Sequence, residues 1–201
     1  PKPGWVEHDL EDIWSSVGTS VEAVLKRQKV DPKAITAIGI TNQRETTCAY
    51  DKTGKPLHHA IVWQDRRTSD YCAKHSARYE EVCRKKNGLP LDPYFSGTKM
   101  RWFLDNVDAV KAAADKKDLC LSTVDTFLVY RLTGCKSFVT EGSNASRTML
   151  MGLETFNWDS DLLKFFDISR DFLPEIRESF TSFGETKNAG ILPDGIPILS
   201  I

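Results

Sequence analysis

The chain has 201 residues, 40% of them hydrophobic and 27% charged, enough to bury a sizeable core within one domain or a large part of one. Its 27 basic and 28 acidic side chains leave a formal charge of −1, so no broad field draws in a nucleic-acid backbone or an anionic membrane surface. No apolar run reaches the roughly 20 residues that span a bilayer, and the opening PKPGWVEHDLEDIW has neither the basic nor the apolar region of a signal peptide.

In chain order, Asp9 and Asp12 ahead of Ile13, Trp14, Val17, Val21, Val24 and Leu25 predict a capped amphipathic helix over about 10–29. AITAIGIT (34–41) is apolar and β-branched and reads as a buried strand, so a helix feeding a strand indicates an α/β layer. TTCAYD (46–51), a Gly54-containing turn and HHAIVWQD (58–65) have the punctuation of a hairpin. A charged segment of helical period, 66–86, stops at Asn87-Gly88-Leu89-Pro90, and residues 96–118 predict one helix with a shorter successor. LCLST (119–123) is strand-like, and VDTFLVYRLTG (124–134) reads as an amphipathic helix closed by Gly134. Strands are expected near 137–140 and 148–151, a short helix at 159–166, and the start of another strand within ILPDGIPILSI (191–201). The first residue is Pro1 rather than methionine, and an excised or partial polypeptide is the expectation.

Arg44 and Glu45 follow the strand of residues 34–41 directly, where α/β proteins open the crevice that holds ligands. A cation beside an anion can donate and accept hydrogen bonds to neighbouring hydroxyls of a polyol; an ordinary ion pair at a strand end is the plain alternative. Trp63 in IVWQDRRT and Tyr94 in DPYFSGTKMRW add an aromatic wall and a phenolic hydroxyl, or else serve simply as core. The five cysteines show no CxxC pair and read as thiols of a reducing, cytoplasmic compartment; His8, His58, His59 and His75 form no ligand pattern and read as surface residues. Asn144-Ala145-Ser146 fits the glycosylation pattern but is expected to be unmodified.

GITNQRETT (39–47), IVWQDRRT (61–68), YFSGTKMRWFLDN (94–106), STVDTFLVYRLTG (122–134) and NASRTML (144–150) resemble, in order, successive blocks of the glycerol kinases within the FGGY family. The third block also resembles the first FGGY signature through Lys99, Trp102 and Asp105-Asn106; the first two narrow the likeness to glycerol kinases. The resemblance implies an α/β fold of the actin and hexokinase-like ATPase type, ribonuclease H-like, here the N-terminal glycerol-binding domain over residues 1–201, incomplete at both ends. It implies that Arg44, Glu45 and Tyr94 bind the glycerol hydroxyls and that Trp63 packs on the carbon chain, while Gln43, Asp65, Asp125 and Asn144 orient their neighbours.

ATP and magnesium are implied for the whole enzyme, bound mostly outside this chain. No GxxxxGK[ST] or DxGTT element occurs, and the family's catalytic base belongs to a Gly-Asp-Gln element expected beyond Ile201, so no catalytic residue is assigned here. Glu141-Gly142 stands where the family usually has Asp-Tyr or Asp-Val, and a loop or capping role is expected for Glu141. Alternatives left open are a kinase for another polyol or sugar and a catalytically silent scaffold; a homo-oligomer is compatible with the sequence.

Overall fold

The computed structural model describes residues 2–190 and 192–201; Pro1 and Ile191, the first residue of the last expected strand segment, lie outside the described residues. At the centre is a four-stranded antiparallel sheet ordered Glu7–His8, Ala60–Ile61, Thr47–Asp51, Leu119–Thr123. Thr47–Asp51 and Leu119–Thr123 pair over five residues each, with Ala49 opposite Leu121 and Tyr50 opposite Cys120. Directly opposed residues share a face and successive ones alternate. Cys48, Tyr50 and Cys120 therefore pack on one side with Leu10, Val124 and Phe127, while Ala49, Leu119 and Leu121 pack on the other with Tyr79, Phe103 and Phe166. Both faces are dry, which is why these strands carry apolar residues at consecutive positions.

The first helix runs Leu10–Gln28, and the Asp9 carboxylate accepts from the Glu11 amide as expected of its cap. The charged segment forms Ser69–Val82 and Arg84–Asn87, ended by Gly88 at φ 73°, and the next two helices are Ser96–Asn106 and Asp108–Asp115. Asp159 caps Ser160–Phe166 through the Asp161 and Leu162 amides. The hairpin exists but is short, with Thr47 opposite Ile61, and Ala60–Ile61 takes its other neighbour from Glu7–His8, a pairing between segments too far apart for local sequence pattern to reveal.

Two expectations fail. Residues 34–41 are not a buried strand: only Ile38–Gly39 is strand, paired on one side with Pro197–Ser200, and Ile35, Ile38 and Ile40 stay half-exposed. Among the described residues the segment has no second neighbour, and its side chains border an apolar groove with Val17, Val21, Leu128 and Leu132 instead of a closed core. The helix Val124–Leu132 is not amphipathic; every residue but Arg131 is buried. It is covered on one side by the central sheet and on the other by Val139, Phe183 and Ile198 of the second sheet region, so no face is left for water. That region comprises Phe180–Glu185 antiparallel to Pro197–Ser200, and a parallel pair, Val139–Glu141 with Glu175–Arg177. Met151–Gly152 and Asn157–Trp158 form a small antiparallel pair.

Candidate functional site

Between the exposed segment 34–41 and the buried strand Thr47–Asp51 the chain reverses through Arg44, Glu45 and Thr46. The Thr46 amide donates to the Arg44 carbonyl at 2.8 Å, and Glu45 at the centre has φ 63°. This is the γ-turn with positive φ, the rarer and more strained of the two forms. Its consequence is that consecutive side chains part company: Glu45 is buried and Arg44 is exposed. The turn is pinned at the Glu45 carbonyl, which accepts from the Thr47 hydroxyl and from the Ser96 hydroxyl at 3.0 Å each. Ser96 opens the helix that follows Tyr94, so the two halves of the site are joined by one hydrogen bond.

The partner of the Glu45 carboxylate is not the adjacent Arg44 but Arg147, whose Nε donates to Oε1 at 2.6 Å from 102 positions along the chain. The Arg147 guanidinium also lies 4.8 Å from the Phe95 ring centre and 5.7 Å from that of Tyr94. Tyr94 in turn packs against Trp63, ring centres 5.4 Å apart. Glu45, Arg147, Tyr94 and Trp63 thus form one continuous constellation; Arg44 stands at its edge, with none of the ion pairs among the described residues.

Two further groups hold the aromatic pair in place. Lys99 is fully buried and donates from Nζ to the carbonyls of Pro93, Tyr94 (2.9 Å) and Phe95 (3.3 Å), tying down the turn that presents Tyr94. Burial pushes its ammonium down to about 8, against the pull of the Asp65 and Glu45 carboxylates. On the Trp63 side, Asp65 accepts from the Val6 amide and from Arg67, and the Arg67 guanidinium stacks 3.8 Å from the Trp5 ring centre and 4.6 Å from that of Trp102. Burial alone would raise the Asp65 carboxyl, but those donors outweigh it and hold it below the usual range.

Of the residues expected to orient neighbours, Asn144 links the Asn42 side chain to Glu141, accepting from one and donating to the other. Asp125 is fully buried among the hydroxyls of Thr123 and Thr140, and burial raises its pKa. Gln43 meets the exposed His8 ring at 3.2 Å. Glu141 caps the short helix Gly142–Ala145, accepting from the Ser143 and Asn144 amides. A glycine at 142 leaves room for Phe156, whose ring carbons would lie 2.5 Å from any Cβ there. Asn144 is 3% exposed, against its serving as a glycan acceptor in the folded chain.

The buried carboxylates among the described residues are Glu45, Asp65, Asp125 and Glu141. Both oxygens of Asp65, of Asp125 and of Glu141 are taken by protein donors. Glu45 alone keeps an oxygen, Oε2, to which no described protein group donates. The site therefore offers one free acceptor on a fixed carboxylate, beside an aromatic pair that can cover C–H surface and a phenol that can donate or accept. Among the described residues no group of three His, Cys, Asp or Glu side chains could hold a metal ion.

The sequence assigns no role to Arg147 and marks Lys99 only as part of the block 94–106. A lysine within an otherwise strongly packed helix turn is a usable signal, because such a residue must satisfy its charge locally. Nothing local distinguishes Arg147, whose function is set by a contact between distant segments.

The chain as a whole, an α/β domain, matches a defined class. Residues 1–201 match the model of the FGGY family of carbohydrate kinases, N-terminal domain, and the chain belongs to that family. It is similar to glycerol kinases in particular: it is 48% identical over 202 residues to that of Deinococcus radiodurans and 52% identical over 204 residues to that of Bdellovibrio bacteriovorus. All of this chain is covered in each, but it spans only about 40% of the length of these relatives. A crystal structure of Plasmodium falciparum glycerol kinase with ADP superposes with a TM-score of 0.92 at 36% identity, covering 100% of this chain and 40% of that one. The fold is accordingly the actin-like ATPase α/β type expected from the resemblance.

Proposed function

We propose that this chain is the glycerol-binding portion of an ATP-dependent glycerol kinase, which transfers the γ-phosphoryl group of ATP to glycerol and yields sn-glycerol 3-phosphate. The observation that carries the reading is the Glu45 carboxylate with one oxygen free, set against the Trp63–Tyr94 pair through Arg147. A three-carbon polyol needs hydrogen bonds at its hydroxyls and apolar cover on its C–H face, and this constellation supplies both. Glu45, Arg44 and Tyr94 are assigned to the hydroxyls and Trp63 to the carbon chain.

These are binding and positioning roles. The base that takes the hydroxyl proton, the nucleotide cradle and the magnesium ligands are assigned to the remaining length of the parent polypeptide, with closure around the substrates excluding water. Glu141 is not that base, because its oxygens already accept five hydrogen bonds and have no room for a substrate proton. Among the described residues no helix is long and apolar enough to cross a membrane, and the five thiols are unpaired; a cytoplasmic site of action suits both.

The test is a coupled assay of glycerol-dependent ADP release, run on this chain and on the polypeptide extended through its flanking coding regions. Turnover only in the extended protein is the expected result. Turnover with xylulose, ribulose or erythritol in preference to glycerol would reassign the substrate, and silence with all four would point to a binding or scaffold protein.

A further inference from the structure

Glu45 is the group on which the proposed polyol contact rests, yet nothing in its own segment holds its carboxylate. Its backbone is in the left-handed region, its side chain is only 4% exposed, and Arg44 points away into solvent. A carboxylate taken out of water without a counter-charge is strongly unfavourable, so whatever pairs with it also decides whether the strained turn keeps its shape.

We infer that Arg147 is a positioning residue for substrate binding, fixing the Glu45 carboxylate through Oε1 so that Oε2 remains as the single acceptor for one polyol hydroxyl. Three independent features support this. The Nε–Oε1 bond, at 2.6 Å, is a charge-assisted contact to one oxygen rather than a fork across both, which is what leaves the second oxygen available. The guanidinium is braced by the rings of Phe95 and Tyr94, so the same cation that orients the carboxylate also contacts the aromatic wall of the site.

The third feature is how Arg147 itself is held. It lies in the turn Ser146–Thr148 that continues the short helix Gly142–Ala145, and the helix start is fixed by four hydrogen bonds from Ser143 and Asn144 to Glu141. Thr148 on its other side presses against the helix bearing Lys99: its carbonyl oxygen would lie 2.7 Å from a Cβ at Gly97. The strand Val139–Glu141 is thereby connected mechanically to the ligand carboxylate, a path from Glu141 through Asn144 and Arg147 to Glu45. Arg147 acts through Glu45 and does not itself need to touch the substrate.

This inference rests on the polyol reading of the site, and the experiment separates the two. Full-length protein is prepared as wild type, Arg147→Met, Glu45→Gln, the double variant and Arg147→Lys. Glycerol KM and kcat are measured alongside the thermal unfolding midpoint, with xylulose, ribulose and erythritol as alternative acceptors. Arg147→Met is expected to raise KM on the order of ten- to a hundredfold, with a much smaller fall in kcat. In the double variant the KM effects should fall well short of multiplying, since both changes remove the same contact. Arg147→Lys should recover part of the loss, because a lysine keeps the charge but not the planar stacking on Tyr94 and Phe95.

Effects on KM that multiply fully, or a KM unchanged in Arg147→Met, would overturn the inference. If the wild type used none of the four acceptors, the polyol reading would fail. The pairing would still be judged by the unfolding midpoints of the same proteins, where additive shifts would show that Arg147 and Glu45 do not act as a unit.

Discussion

Replacing Glu141 by Gln isolates what this buried carboxylate does. Its Oε1 accepts from the Ser143 hydroxyl (2.7 Å), the Asn144 amide (2.6 Å) and the Asn144 side chain (2.8 Å); Oε2 accepts from the Ser143 amide (2.7 Å) and the Ser179 hydroxyl (2.8 Å). A glutamine can keep its oxygen at the first position, but its NH2 must then face the Ser143 N–H. Ser179 can rotate to become an acceptor; a backbone amide cannot. One charge-assisted bond is lost, a buried donor is left opposed, and the three retained bonds become neutral ones, which together cost about 3 kcal/mol. The assay is urea denaturation of the full-length protein, paired with glycerol-dependent turnover well below the unfolding transition. Stability should fall by about that amount, while turnover of the folded variant stays within a few-fold. Burial alone would raise the Glu141 carboxyl, but its donors outweigh that and hold it below the ordinary value of 4.5. Its stabilising contribution is therefore complete above that value and is lost as pH falls through the depressed one, so the gap between wild type and variant should close in acid. A fall of several orders of magnitude in turnover, or a stability change under about 1 kcal/mol, would refute the reasoning.

Three other outcomes follow from the same geometry. Arg44→Ala should leave stability within about 0.5 kcal/mol, since the side chain is exposed and outside the ion pairs among the described residues. Its glycerol KM should nonetheless rise by an amount worth about 1.5–3 kcal/mol, and unchanged kinetics would remove Arg44 from the site. Gly97→Ala would put a methyl group 2.7 Å from the Thr148 carbonyl oxygen and 3.4 Å from the Phe166 ring. A backbone atom cannot swing aside, so a loss of about 1–3 kcal/mol is expected in chemical denaturation, and a neutral result would mean the two segments are farther apart. For Lys99, burial lowers the pKa from 10.5 to about 8, so the unfolded chain binds the extra proton between those values. The cost of burying the charge is full below pH 8 and is relieved as pH rises toward 10.5. Wild type should therefore gain about 2 kcal/mol over Lys99→Met between pH 8 and 9.5; a pH-independent difference would contradict it.

Much of the fold was legible because the determinants were local. Asp9 before an apolar helical stripe, Asp159 before Ser160–Phe166 and Gly88 after Asn87 each state their own boundary, since a cap or a left-handed glycine is decided by the few residues around it. The motif blocks around Glu45, Trp63 and Tyr94 likewise identified the family and the residues assigned to the polyol. The segment 34–41 misled because apolar, β-branched composition specifies an extended chain but not how many neighbours it receives. The helix Val124–Leu132 misled for the converse reason, as a second sheet covers the face that periodicity reserved for solvent.

The sequence by itself determined that this is an α/β chain of a carbohydrate-kinase family, and it singled out Glu45, Trp63 and Tyr94 as candidates. Only the tertiary structure decided which cation serves Glu45. Adjacency in sequence favoured Arg44, but the positive φ at Glu45 turns neighbouring side chains in different directions, and packing delivers Arg147 from 102 residues away instead. Charge pairing in a buried site is settled by which groups lose their water together, and that is a property of the folded chain rather than of any segment in it.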